Sequence, residues 1–124
     1  MKKMILSTML FALVACSGGG GGGSTAQIPS LMSPGDLSSQ EAASKNNEGV
    51  DHLVQGHYDV SEPLFHQAIA AKPDFAEAHF NLGVTLDGKG MHAEASAAFK
   101  KALEFGKDNP KIAENELLKK HISM

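Results

Sequence analysis

The apolar and polar positions of the chain fall into three successive patterns. Met4 to Val14 is an apolar run interrupted only by Ser7 and Thr8. Residues 17–37 follow without a helical or strand period: a glycine run from Gly18 to Gly23, then Pro29, Pro34 and Gly35 among short aliphatic stretches. From Ser38 onward the signals are helical. Ser38 with Glu41 three residues later fits a capping box, and Asp74 with Glu77 repeats that spacing. Asn109-Pro110 supplies an N-cap residue followed by proline at the first helical position. Gly56, Gly90 and Gly106 stand where helices should stop. The pattern predicts five helices, at about 39–55, 59–72, 75–88, 92–105 and 110–122.

The fold class expected is all-α. Alanine is frequent in the second half, which favours closely packed helices over a sheet. Shifting the chain by 34 residues aligns it with itself: Gly49 meets Gly83, Gly56 meets Gly90, Ser61 meets Ala95, Phe65 meets Phe99, Ala68 meets Ala102 and Ile69 meets Leu103. Small residues at matching sites let two helices cross closely, and the phenylalanines fill the space between hairpins. A helix-turn-helix repeating at this period, with Asn81-Leu82-Gly83, Gly90, Ala95, Phe99 and Ala102 in the second unit and Pro73 closing the first, resembles the tetratricopeptide repeat (TPR) family. The resemblance implies a short α-solenoid: a degenerate hairpin at 42–75, a hairpin at 76–109 that matches the family well, and a C-terminal capping helix at 110–124. Ile112, Leu117 and Leu118 of that helix would pack back onto the stack.

The first unit departs from the pattern. His52 stands where the second unit has Leu86, Glu48 where it has Leu82, and Pro63 falls near the second turn of the second helix. Proline there removes one backbone bond, so a frayed or irregular first hairpin is expected.

The N-terminal pattern points to export. Lys2 and Lys3 precede the apolar run, which is too short to span a bilayer and suits the apolar region of a signal peptide, 1–15. The run ends in Leu13-Val14-Ala15-Cys16, which resembles the lipobox of bacterial lipoproteins. The resemblance implies that the Cys16 thiol accepts a diacylglycerol and that cleavage before it frees an amine for a further acyl chain; two or more chains anchor firmly where one does not. Ser17 resembles the class sorted to the outer membrane, facing the periplasm, in two-membrane cells. Cys16 is the lone cysteine, so an internal disulfide is excluded. Residues 16–37 then read as the lipidated cysteine and a flexible linker with an r.m.s. reach of about 25 Å.

Charge and titratable residues narrow the function. Every basic residue is a lysine; the full chain has 11 against 14 acidic residues, and loss of Lys2 and Lys3 leaves 9 against 14, a net −5. That excludes a basic footprint for nucleic acid. The six histidines show no i, i+4 metal pair with a nearby carboxylate, and His57 and His92 sit in corresponding turns. No catalytic constellation or cofactor motif is present, so a non-enzymatic protein with no metal site is expected.

The family resemblance implies protein binding in a groove lined by the first helix of each unit: Asn46, Asn47, Val50, Leu53 and Val54, then Glu77, Phe80, Asn81, Val84 and Asp87. Asn47 and Asn81 occupy matching sites, and their amides can clamp a peptide backbone; the alternative is a solvated Asn81. Only Lys45, at the edge, offers a cation on this face, so capture of a C-terminal carboxylate is not expected. The reading is a membrane-anchored adaptor or assembly factor of the bacterial envelope, with an unidentified protein or peptide partner. The alternatives are a permanent structural subunit of a larger envelope complex and, with less weight, a histidine metal site. Two repeats make a small stack, so a homo-oligomer is a further expectation.

Overall fold

The computed structural model describes residues 27–123, and these are helical with no strand among them. The signal peptide, Cys16 and the glycine run lie outside the described residues. Six helices follow in order: α1 Gln40–Leu53, α2 Tyr58–Ala71, α3 Ala76–Gly88, α4 His92–Gly106, α5 Pro110–Ala113 and α6 Glu116–Ile122. α1 pairs with α2 and α3 with α4; the hairpins stack through α2 on α3 and α1 on α3, and α6 closes the stack against α4.

The hairpin turns repeat almost atom for atom. Gly56 and Gly90 take φ of 76° and 79°, a left-handed conformation that glycine reaches without the cost a Cβ would impose. The His57 N–H donates to His52 O at 3.0 Å in the first turn, and the Met91 N–H to Leu86 O at 2.9 Å in the second, closing each helix C-terminus. The helix crossings repeat as well. A Cβ on Gly49 would lie 2.6 Å from Phe65 Cε1, and one on Gly83 would lie 2.7 Å from Phe99 Cδ1. Each phenylalanine ring is therefore seated on the glycine of its own hairpin, with Ala68 and Ala102 fully buried beside them.

Three local expectations change and one is met. The cap of α1 is Ser39, not Ser38; its hydroxyl accepts from the Ala42 N–H at 3.3 Å. Asp74 does not cap α3, which starts after Phe75 without a side-chain cap; its carboxylate pairs with Lys72 at 2.8 Å, and that lysine holds the Asp74 carboxyl below the usual carboxylate range. Asn109 does cap α5, accepting from the Lys111 N–H at 3.1 Å. The single last helix is split, because the Asn115 carboxamide accepts from the Leu117 and Leu118 N–H groups and starts α6 anew. Ile112 and Leu118 nevertheless pack into the core, both fully buried.

The first hairpin is regular rather than frayed. α2 runs unbroken through Pro63, which sits early in the helix with its ring exposed, so only one intrahelical bond is lost. The irregularity is instead at His52, whose Nδ1 is buried with no hydrogen-bond partner among the described residues. Its counterpart Leu86 is an ordinary core residue, 6% exposed. His52→Leu is therefore expected to stabilise the fold by about 1 kcal/mol, the lower end of the cost of an unmet buried polar atom. A thermal melt checks it, with a rise of about 4–8 °C for a domain this small.

Candidate protein-binding groove

α1 and α3 lie side by side and present Asn46, Asn47 and Asn81 on one face. Composition reads residues 27–34 as linker. The structure places them along this face, running from the α5–α6 junction over α3 to α1. Gln27, Ile28 and Pro29 begin the segment beside Phe80, Lys111 and Asn115. Ile28 and Leu31 pack against the buried cluster that holds Val50, Leu53, Phe80 and Val84.

The polar contacts are to the segment's backbone. The Leu31 N–H donates to Asn81 Oδ1 at 2.8 Å, and the Asn81 carboxamide N–H donates back to Leu31 O at 2.8 Å. One residue pair further along, the Ser33 N–H donates to Asn47 Oδ1 at 2.8 Å. Asn46 donates to Leu31 O at 3.0 Å and to Ser33 Oγ at 3.1 Å, and its own oxygen accepts from Asn81 Nδ2 at 2.8 Å. Ser33 Oγ in turn donates to Ala43 O at 3.1 Å. Backbone N–H groups two residues apart thus face the same surface, the alternation of an extended strand. Asn47 and Asn81, one repeat apart, each accept one of them.

Asn46 and Asn81 are fully buried, so the solvated alternative for Asn81 does not hold. Buried amides of this kind must find partners, and here each finds more than one. Val50, Leu53, Phe80 and Val84 are interior, covered rather than open to solvent. Glu77 is half-buried beside Ser30 to Pro34 and accepts from Asn109 Nδ2 at 3.2 Å. Val54 lies one residue past α1 and is 51% exposed, apart from the segment. Lys45 turns to Glu48 at 3.3 Å.

Asp87 does not face the segment. Its Oδ1 takes His92 Nδ1 at 2.8 Å and His121 Nε2 at 2.9 Å, so the structure joins two histidines that the sequence leaves 29 residues apart. The one signal in the sequence is that Asp87 and His121 are a full 34-residue repeat apart. His79, buried on the far side of α3, holds Pro73 O through Nε2 at 2.8 Å, and burial lowers its pKa from the usual histidine value. On the outer surface Lys89 bridges Asp59 at 2.8 Å and Glu62 at 2.7 Å, tying α2 to the end of α3; these hydrogen bonds push its pKa up to about 12.

Residues 46–110 match the sequence profile of a family described as Tetratricopeptide repeat. No curated protein and no solved structure matches the chain.

Proposed function

The chain belongs to the tetratricopeptide repeat family, and from that premise we propose that it is a protein-interaction adaptor or assembly factor of the bacterial envelope, tethered to a membrane through lipid on Cys16. Its groove takes an extended segment of a partner protein and holds it chiefly by the backbone. The observation that carries this reading is the chain's own residues 28–33, seated in the groove with the Leu31 and Ser33 amides on Asn81 and Asn47. A groove that grips backbone amides selects an extended conformation before it selects side chains, whose preference is set by the apolar seats of Ile28 and Leu31. The membrane part of the proposal is supported by Leu13-Val14-Ala15-Cys16 and the glycine run behind it.

A partner segment must displace the resident one. A tethered segment competes at an effective concentration in the millimolar range, so it masks the groove against all but well-matched partners. The test uses a fluorescent peptide copying residues 27–35 and the full chain carrying Leu31→Pro with Ser33→Pro. Proline has no N–H, so the resident segment loses both donors to the groove. Polarisation titration is expected to show the peptide binding this variant at least about tenfold more tightly than the unaltered chain, consistent with release of that competition. Equal or undetectable binding to both would refute the groove reading. Crosslinks from partners to the convex face instead of the groove would do the same. Palmitate labelling that survives Cys16→Ser would refute the anchor.

A further inference from the structure

Three ligating side chains converge at one end of the stack, away from the segment in the groove. Asp87 comes from the last turn of α3, His92 opens α4, and His121 lies in the last turn of α6. One ligand atom of each lies within 4.8 Å of the others. Both imidazoles meet the same oxygen, Asp87 Oδ1, at 2.8 and 2.9 Å. His121 is 3% exposed, Asp87 27% and His92 63%, so the cluster has a buried floor and an open mouth.

We propose that Asp87, His92 and His121 form a binding site for a divalent transition-metal ion of the zinc type, which clips α6 to the ends of α3 and α4. Two imidazoles and a carboxylate are the donor set such a borderline ion takes, with a fourth position left for water. Ligand atoms about 2.0–2.2 Å from a tetrahedral ion lie roughly 3.3 Å from one another, so small side-chain shifts from the observed separations seat the ion.

Both ring nitrogens of His121 have neighbours suited to a metal ligand. Its Nδ1 faces Ser96 Oγ at 3.1 Å, and that hydroxyl is placed to donate to His92 O at 2.9 Å. In the tautomer with its hydrogen on Nδ1, the ring donates to Ser96 Oγ and turns the Nε2 lone pair toward Asp87 and His92. With an ion between Nε2 and Asp87, Nδ1–H donates to Ser96 and the Nε2 lone pair ligates. The hydroxyl oxygen of Ser96 can accept from that ring N–H as a carboxylate, carbonyl or water does at metal-bound histidines. Phe99, its ring 5.0 Å from that of His121, fixes the orientation of the imidazole plane.

The repeat itself does not call for this cluster. One period earlier the positions of Asp87 and His92 hold Leu53 and Tyr58, and the first turn forms equally well. α6 has only seven residues, too short to hold its helix alone, so a tie at its last turn has something to stabilise.

The experiment is calorimetric titration of zinc chloride into the metal-stripped full chain at neutral pH, with parallel thermal melts. One ion per chain is expected, with a Kd of about 10 μM or tighter. At a hundredfold excess over that Kd, the melt should rise by about 10–20 °C. His92→Ala removes an exposed ligand, so the fold is retained by circular dichroism while zinc affinity falls at least about tenfold. His66→Ala, an exposed histidine outside the cluster, leaves binding unchanged. Cobalt(II) should give the visible absorption of a tetrahedral site in the unaltered chain and lose it in His92→Ala. No saturable binding up to about 1 mM zinc, or equal binding by His92→Ala, overturns the proposal.

Discussion

Gly83→Ala is expected to lower the unfolding free energy by about 2–3 kcal/mol, the upper part of the range for overpacking a filled core. The added methyl would sit 2.7 Å from both Cδ1 and Cε1 of Phe99. That ring is fully buried, with Phe80 at a centroid distance of 5.6 Å on one side and His121 at 5.0 Å on another, so it has nowhere to turn. α3 and α4 must separate instead, and the strain reaches the groove through Phe80. Urea unfolding followed by circular dichroism measures the loss. Gly88→Ala is the control that separates this from the general effect of replacing glycine. Its Cβ would approach Tyr58 Cε1 and Cζ at 2.5 Å, but Tyr58 is half-buried and starts α2, so it can swing outward. Gly88 is the last residue of α3, where an added methyl disturbs no helix crossing. If the two variants prove equally stable, the close seating of Phe99 on Gly83 is not what sets the crossing.

Asn81→Ala is expected to have the largest effect on the groove. Asn81 makes three hydrogen bonds through its side chain, to both backbone groups of Leu31 and to Asn46 Oδ1, and it is fully buried. Alanine leaves Asn46 Oδ1 buried without that donor and removes the central grip on the segment. Each unmet buried group costs about 1–3 kcal/mol, so a loss of roughly 3 kcal/mol is expected for the seated state. Hydrogen exchange of the Leu31 amide reads this directly. It should be protected in the unaltered chain and exchange about a hundredfold faster in Asn81→Ala, which corresponds to about 2.7 kcal/mol of local opening. Asn47→Ala, which touches only the Ser33 amide from a half-exposed position, should act on Ser33 more than on Leu31. A Leu31 amide that exchanges as fast as a free peptide in the unaltered chain would mean that the segment is not held.

Much of the helical framework is legible in the residues because its signals are local or recur at a fixed interval. Gly56 and Gly90 announce two turns of left-handed backbone, and Asn109-Pro110 starts α5 where expected. The recurrence of Gly49, Phe65, Gly83 and Phe99 marks the repeated unit, but each ring fills the helix crossing within its own hairpin and not the space expected between hairpins. Errors at this level are also local. Ser39 takes the cap from Ser38, and Asn115 breaks the last helix, because a side chain two or three residues from a free N–H competes with continuation of the helix. Pro63 is tolerated because the cost of a proline depends on which face and which turn of the helix it occupies, a matter of tertiary position.

The asparagines stand out in the sequence on one helix face, while the segment that lies across them does not. Residues 27–34 carry two prolines, two serines and three large apolar side chains with no helical or strand period, a pattern that by itself specifies no structure. Their order comes from Asn81, 50 positions from Leu31, and from Asn47, 14 positions from Ser33. The same holds for Asp87, His92 and His121, which no spacing rule joins within a helix and which meet only because α6 folds back over the turn between α3 and α4. The sequence by itself determined that this protein is a repeat of helical hairpins with an asparagine-bearing face, because helix periods, glycine turns and small-large pairs are short-range physics written in each unit. Only the tertiary structure decided what lies on that face and which titratable groups share a site, because those contacts depend on packing elements whose side chains carry no mark of their distant neighbours.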